Sequence, residues 1–118
     1  MEKLPLSIGI LAWRSGQTLV NTLATYHSNG LFNLVDDIYI LFQEFSETDK
    51  QIAEHFNIPY LPEKDNIGIG MGLLKLAQHA KTDNFLLLEH DWKLIENQNI
   101  LYDRLKSGIN LLDQDFSC

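Results

Sequence analysis

The sequence predicts a three-layer α/β/α domain on a mainly parallel sheet with strand order 3-2-1-4. Three observations lead there. Short apolar runs alternate along the chain with segments of helical periodicity, a pattern that implies right-handed crossovers between parallel strands. The runs at residues 6–12 and 85–88 are almost unbroken, as in strands covered on both faces. The chain has 118 residues, 45% of them hydrophobic, so residues 1–118 suit one domain with one core and are few for two.

The first strand is expected over Leu6–Ala12, with Ser7 and Gly9 allowing close backbone approach on one side. Ser15 or Gly16 opens a helix on which Leu19, Val20, Leu23 and Tyr26 recur at helical spacing, and Asn29-Gly30 stops it. Ile38–Phe42, β-branched and aromatic, forms the second strand and ends at Gln43-Glu44. Ser46 caps a second helix over Glu47–Phe56, which has acidic residues in its first turn and faces Ile52, Ala53 and Phe56 inward. Pro59 and Pro62 restrict Ile58–Leu61 to a short edge strand.

Asn66 to Gly72 is a glycine-rich lead into a third helix that carries Leu73, Leu74, Leu76, Ala77 and Ala80 and stops at the polar break 81–84. Phe85–Leu88 makes a fourth strand, buried on both faces, and runs straight into Glu89-His90-Asp91-Trp92. Ile100, Leu101, Leu105, Ile109 and Leu112 mark a last helix over one sheet face, weakened locally by Gly108. If the first strand lies between the second and the fourth, in the order 3-2-1-4, the loops at Ala12–Arg14, Gln43–Glu44 and Glu89–Asp91 meet at the switch point, where open α/β sheets bind ligands.

Charge narrows the partners. Sixteen acidic against nine basic residues give a formal charge of -7, which repels nucleic acid and anionic lipid headgroups. A nucleotide remains compatible, because a divalent cation offsets repulsion between carboxylates and a diphosphate. Cys118 is the single cysteine, so there is no intrachain disulfide or thiolate zinc cluster, and a reducing cytoplasmic setting is expected. The apolar run after Met1-Glu2-Lys3 is too short for a signal peptide, and no stretch approaches the roughly 20 residues of a membrane span.

Chemistry concentrates at the strand ends. Glu89 and Asp91, one residue apart beyond a strand, can address one small volume with hard oxygen ligands suited to magnesium or manganese. A solvated acidic loop is the commoner use of an isolated pair. His90 between them offers an imidazole to a transition metal, although alternation can turn it the other way. Trp13 is placed to stack on a base or to pack at the core's rim, and Arg14 to pair with a phosphate or to remain a solvated charge. The glycines after Asn66 lack the Lys-Ser or Lys-Thr ending of a P-loop, so a tight turn or close helix packing competes with phosphate binding there.

The order and spacing of Asn66-Ile67-Gly68, the helix after it, and the apolar strand that delivers Glu89-His90-Asp91 resemble the family 2 branch of the GT-A glycosyltransferases. There an N-x-G turn precedes a helix and an apolar strand delivers a D-x-D-like triplet. The first two strands and the helix between them resemble the start of that fold, so the likeness covers most of the chain. It implies a nucleotide-diphospho-sugar transferase-like fold that binds a nucleotide-diphosphate sugar. It also implies manganese or magnesium, with Asp91 as metal ligand and Glu89 as a further ligand or a ribose contact. By the same resemblance Ala12, Trp13 and Arg14 line the nucleotide pocket, Gln43 and Glu44 stand where the family usually has a base-binding aspartate, and Asn66 and Gly68 belong to the donor site.

The stretch of chain after the triplet is short for the family, whose second half supplies the acceptor site. A lone monomer is therefore not expected to transfer sugar, whereas a homo-oligomer would have the means to complete the site. A noncatalytic α/β binding or assembly module, or an inactive glycosyltransferase fragment, is the alternative. A flavodoxin-like phosphoacceptor fits less well, because its acidic cluster belongs where this chain has Ala12-Trp13-Arg14.

Overall fold

The computed structural model describes residues 3–91, 102–107 and 109. Four strands, β1 (Ser7–Trp13), β2 (Asp37–Gln43), β3 (Tyr60–Pro62) and β4 (Phe85–Glu89), form one sheet in the order β3-β2-β1-β4. All three pairings are parallel: Trp13 stands beside Gln43, Leu11 beside both Leu41 and Glu89, and Phe42 beside Pro62. The predicted strand order and α/β class are those observed.

Alternation along β1 sorts the side chains onto two faces. Ile8, Ile10 and Ala12 join Ile40 and Phe42 in the larger core, where they meet Leu19, Leu23 and Tyr26 of α1 (Gly16–Ser28) and Ile52 and Ala53 of α2 (Glu47–His55). Tyr102, Leu105 and Ile109, from the helical residues 102–107 and 109, pack on this same core. On the opposite face Leu11, Tyr39 and Leu41 meet Leu76 of α3 (Gly68–His79), with Leu61, Phe85 and Leu87 at the margin. Those are the three layers.

Local chemistry sets the helix starts. Ser46 and Asp49 form a capping box: Ser46 Oγ accepts from the Asp49 amide at 3.2 Å, and the Asp49 carboxylate accepts from the Ser46 amide at 3.0 Å. α1 has no side-chain cap, and after it a short 3₁₀ turn, Leu31–Asn33, leads toward β2. At the N-terminal edge of the sheet, Ser7 donates to Asp37 at 2.5 Å, Asp37 accepts from the Lys81 amide at 2.8 Å, and Ser7 accepts from the Thr82 amide at 3.1 Å. This buried network ties the chain entering β4 to β1 and β2.

Three expectations need correction. α3 begins at Gly68, so the glycine-rich lead belongs to the helix itself, and its start is held from outside by Gln43 of β2. β4 is half-buried along all five residues, because among the described residues it pairs only with β1 and forms a sheet edge. β3 starts at Tyr60, since Ile58 lies in the larger core ahead of the strand. Ile100, Leu101, Gly108 and Leu112 of the last predicted helix, and Trp92, lie outside the described residues.

Candidate functional site

β1, β2 and β4 all end on the same edge of the sheet, and their C-terminal residues surround an open cleft of about 470 Å³ on the α3 side. Leu11, Trp13, Gln43, Asn66, Gly68, Ile69, Glu89 and His90 line it. Leu11 and Trp13 share a face of β1, and Glu89 of β4 is the register partner of Leu11 beside them. This is the crevice beside β1 where the strand order changes direction, the usual ligand position in open α/β sheets. The volume falls within the roughly 300–1,000 Å³ typical of small-molecule pockets.

Gln43 is the floor of this cleft and is only 4% exposed. Its side-chain carbonyl accepts from the Ile67 amide at 2.7 Å and the Gly68 amide at 3.1 Å, and the Asn66 side-chain carbonyl accepts from Gly68 at 2.9 Å. Helix starts leave their first amides without internal partners. Gln43 therefore caps α3 from the end of β2, and it occupies two of the amides on which phosphate binding by the glycine-rich segment would rely.

At the rim, Arg14 and Glu44 both adopt positive φ, 46° and 51°. Glu44 accepts from Arg14 Nε at 2.9 Å and from its terminal nitrogen at 3.2 Å, and also from the Trp13 indole N–H. The guanidinium lies 5.0 Å from the centre of the Trp13 ring. Hydrogen bonds from Arg14 and then Trp13 hold the Glu44 carboxyl below its usual pKa. Arg14 is engaged with Glu44 through Nε and one terminal nitrogen, so the expected phosphate contact would fall to its remaining N–H donors or to an opened pair.

The remaining predicted residues separate. Ala12 does not line the cleft: alternation sends it, fully buried, into the opposite core between Leu11 and Trp13. Arg14, Glu44 and Asp91 lie outside the lining. Asp91 is exposed, and its charge adds to burial in raising the pKa of Tyr26, which belongs to the α1 layer, while Glu89 lines the cleft on the α3 side. Among the described residues no group of three or more His, Cys, Asp or Glu side chains comes together. Glu89 and Asp91 are thus not gathered with a third such side chain, and a cation held by either would have to take most of its ligands from outside the described residues.

Leu11, Ile69 and His90 complete the lining. Leu11 is readable from its alternation with Trp13. Ile69 sits in a segment whose glycines resemble a turn, and which way His90 faces depends on where β4 stops.

No protein-family model and no curated protein matches the sequence. Among solved structures, the chain is similar to a cytidylyltransferase from Leptospira borgpetersenii serovar Hardjo-bovis, at 18% sequence identity and a TM-score of 0.62. The match covers 87% of this chain and 48% of that one, so the chain spans about half the length of its structural relative. At this identity the likeness shows the fold alone, a parallel sheet in the order 3-2-1-4 with helices on its faces. No helix among the described residues is long and apolar enough to cross a membrane.

Proposed function

We propose that the cleft binds a nucleoside diphosphate sugar, as part of a transferase-like domain of the GT-A type. The observation that carries this reading is the meeting of Trp13, Gln43, Asn66, Gly68 and Glu89 in one cleft at the C-terminal strand ends. The likeness to a cytidylyltransferase supports a nucleotide ligand in the same fold. Leu11, Trp13 and Ile69 give the cleft an apolar wall suited to a flat ring, and Gln43 gives it a polar floor. Glu89, which lines the cleft, would accept a hydrogen bond from a ribose hydroxyl. A magnesium or manganese ion beside Asp91 and Glu89 would supply positive charge against the diphosphate. Transfer of the sugar to an acceptor belongs to the proposal as its final step, with no residue of this chain assigned as the base.

Calorimetric titration of CDP, UDP and GDP, with and without manganese, tests the reading on the wild type and on Asp91→Ala. Binding is expected to tighten at least tenfold with manganese and to lose that gain in the variant. A folded sample that binds none of the three nucleotides overturns it.

A second reading, a noncatalytic assembly module, draws on α3. Ile69, Met71, Leu73 and Leu74 are 65%, 51%, 39% and 47% exposed, an apolar surface that suits a contact with another copy or another domain.

A further inference from the structure

Trp13 gives the cleft the larger of its two rings, and strand packing alone does not hold it. It is the last residue of β1 and is 41% exposed. Gln43 of β2 flanks it on one side, whereas the pairing of β1 with β4 stops at Leu11. A side chain so placed can change rotamer unless something fixes its edge. Glu44 does so. One carboxylate oxygen accepts from the indole N–H and also from Arg14 Nε at 2.9 Å. The other accepts from the Arg14 terminal nitrogen at 3.2 Å, and the guanidinium stands 5.0 Å from the centre of the Trp13 ring. Trp13 lines the cleft, but Arg14 and Glu44 do not. An effect of Glu44 on a ligand therefore travels through Trp13.

From this we infer that Glu44 is a positioning residue, which fixes the Trp13 indole as a wall of the cleft on which the flat ring of a ligand stacks. The inference rests on the reading of the cleft as a nucleotide site. A ring already held in its bound position loses less freedom when the ligand arrives, so preorganisation adds affinity without adding a contact. The hydrogen-bond acceptor carries this role more than the charge does, because an ion pair so exposed contributes little by itself. The positive φ of Arg14 and of Glu44 belongs to the same arrangement: each residue directly follows a strand end, and both side chains meet Trp13.

A double-mutant cycle separates this role from a direct contact with the ligand. The probe is whichever of CDP, UDP and GDP binds the wild type most tightly in manganese. It is titrated into Trp13→Ala, Glu44→Ala, Glu44→Gln and the double variant Trp13→Ala with Glu44→Ala, and circular dichroism melts confirm that each is folded. Trp13→Ala should weaken binding about tenfold or more, the range of a lost stacking partner. Glu44→Ala should weaken it about fivefold while Trp13 is present and have no further effect once Trp13 is gone. Glu44→Gln keeps an acceptor for the indole and should recover most of that loss. The Trp13 indole N–H resonance, identified by its disappearance in Trp13→Ala, should shift in Glu44→Ala and stay near its wild-type position in Glu44→Gln. Wild-type affinity in Glu44→Ala, or an equal loss with and without Trp13, overturns the inference and leaves the nucleotide reading standing. A Glu44→Gln variant that binds as weakly as Glu44→Ala overturns it as well. If none of the three nucleotides binds the wild type, the nucleotide reading falls and the inference falls with it.

Discussion

Arg14 and Glu44 hold a backbone conformation that costs a residue with a side chain roughly 1–2 kcal/mol. Such strain persists where surrounding contacts over-determine it. Here those contacts are the hydrogen bonds that join Arg14, Trp13 and Glu44. They lower the folded-state pKa of Glu44, so its contribution to stability is complete above the unfolded carboxyl value of about 4.3 and is lost as pH falls through the lowered folded value. Urea midpoints of Glu44→Gln should lie below those of the wild type at pH 7, and the gap should close as the pH drops below that window. A gap that stays constant down to pH 2 would show that the carboxylate charge is not involved. Gly68 poses a related strain at the start of α3. Its φ is +84°, and an added β-carbon there would meet nothing within 4 Å. Gly68→Ala should therefore lose roughly 1–2 kcal/mol, purely from the backbone, in a denaturant titration.

At the scale of elements, α3 lies against the sheet because β1 carries Gly9. A β-carbon there would come to 2.9 Å and 3.0 Å from two Phe85 ring carbons and 3.1 Å from Leu76 Cβ. Gly9→Ala should cost about 1–3 kcal/mol of stability, and pairing it with Phe85→Leu should recover part of the loss. Additive effects in that double mutant would argue against the contact. The sequence showed this closeness in outline, since a glycine inside an apolar strand signals a near neighbour. The parallel α/β class and the α2 cap were legible for similar reasons: alternation of strands with helices, and a serine ahead of a turn rich in acidic residues. The start of α3 was not legible. Glycine is a poor helix former, and what holds Gly68 in the helix is a glutamine 25 positions earlier, a tertiary contact that no local pattern records. The assignment of Ala12 to the site failed for a simpler reason. A loop reading treats Ala12, Trp13 and Arg14 as one unit, whereas the strand continues to Trp13 and its alternation sends Ala12 to the other face.

For the molecule as a whole, among the described residues one sheet face is covered by α1, α2 and the helical residues 102–107 and 109, and the other by α3. The apolar side chains that α3 leaves in solvent should bind a hydrophobic dye such as ANS in the folded protein. Replacing Leu73 and Leu74 together by lysine should reduce that fluorescence with little change in melting temperature, because both side chains are already exposed. Unchanged fluorescence would place the dye elsewhere. The strand order also governs how the sheet is made. β1 takes β2 on one side and β4 on the other, with Ser7 beside both Asp37 and Phe85. On a ribosome adding about 5–20 residues per second, the β2 side can pair several seconds before the β4 side has a partner. Through that interval the wall of the cleft that carries Leu11 and Trp13 is an open strand edge, available to any extended chain. The part of the sheet that carries the cleft is thus the last to close during synthesis, and the place where a chaperone has most to protect.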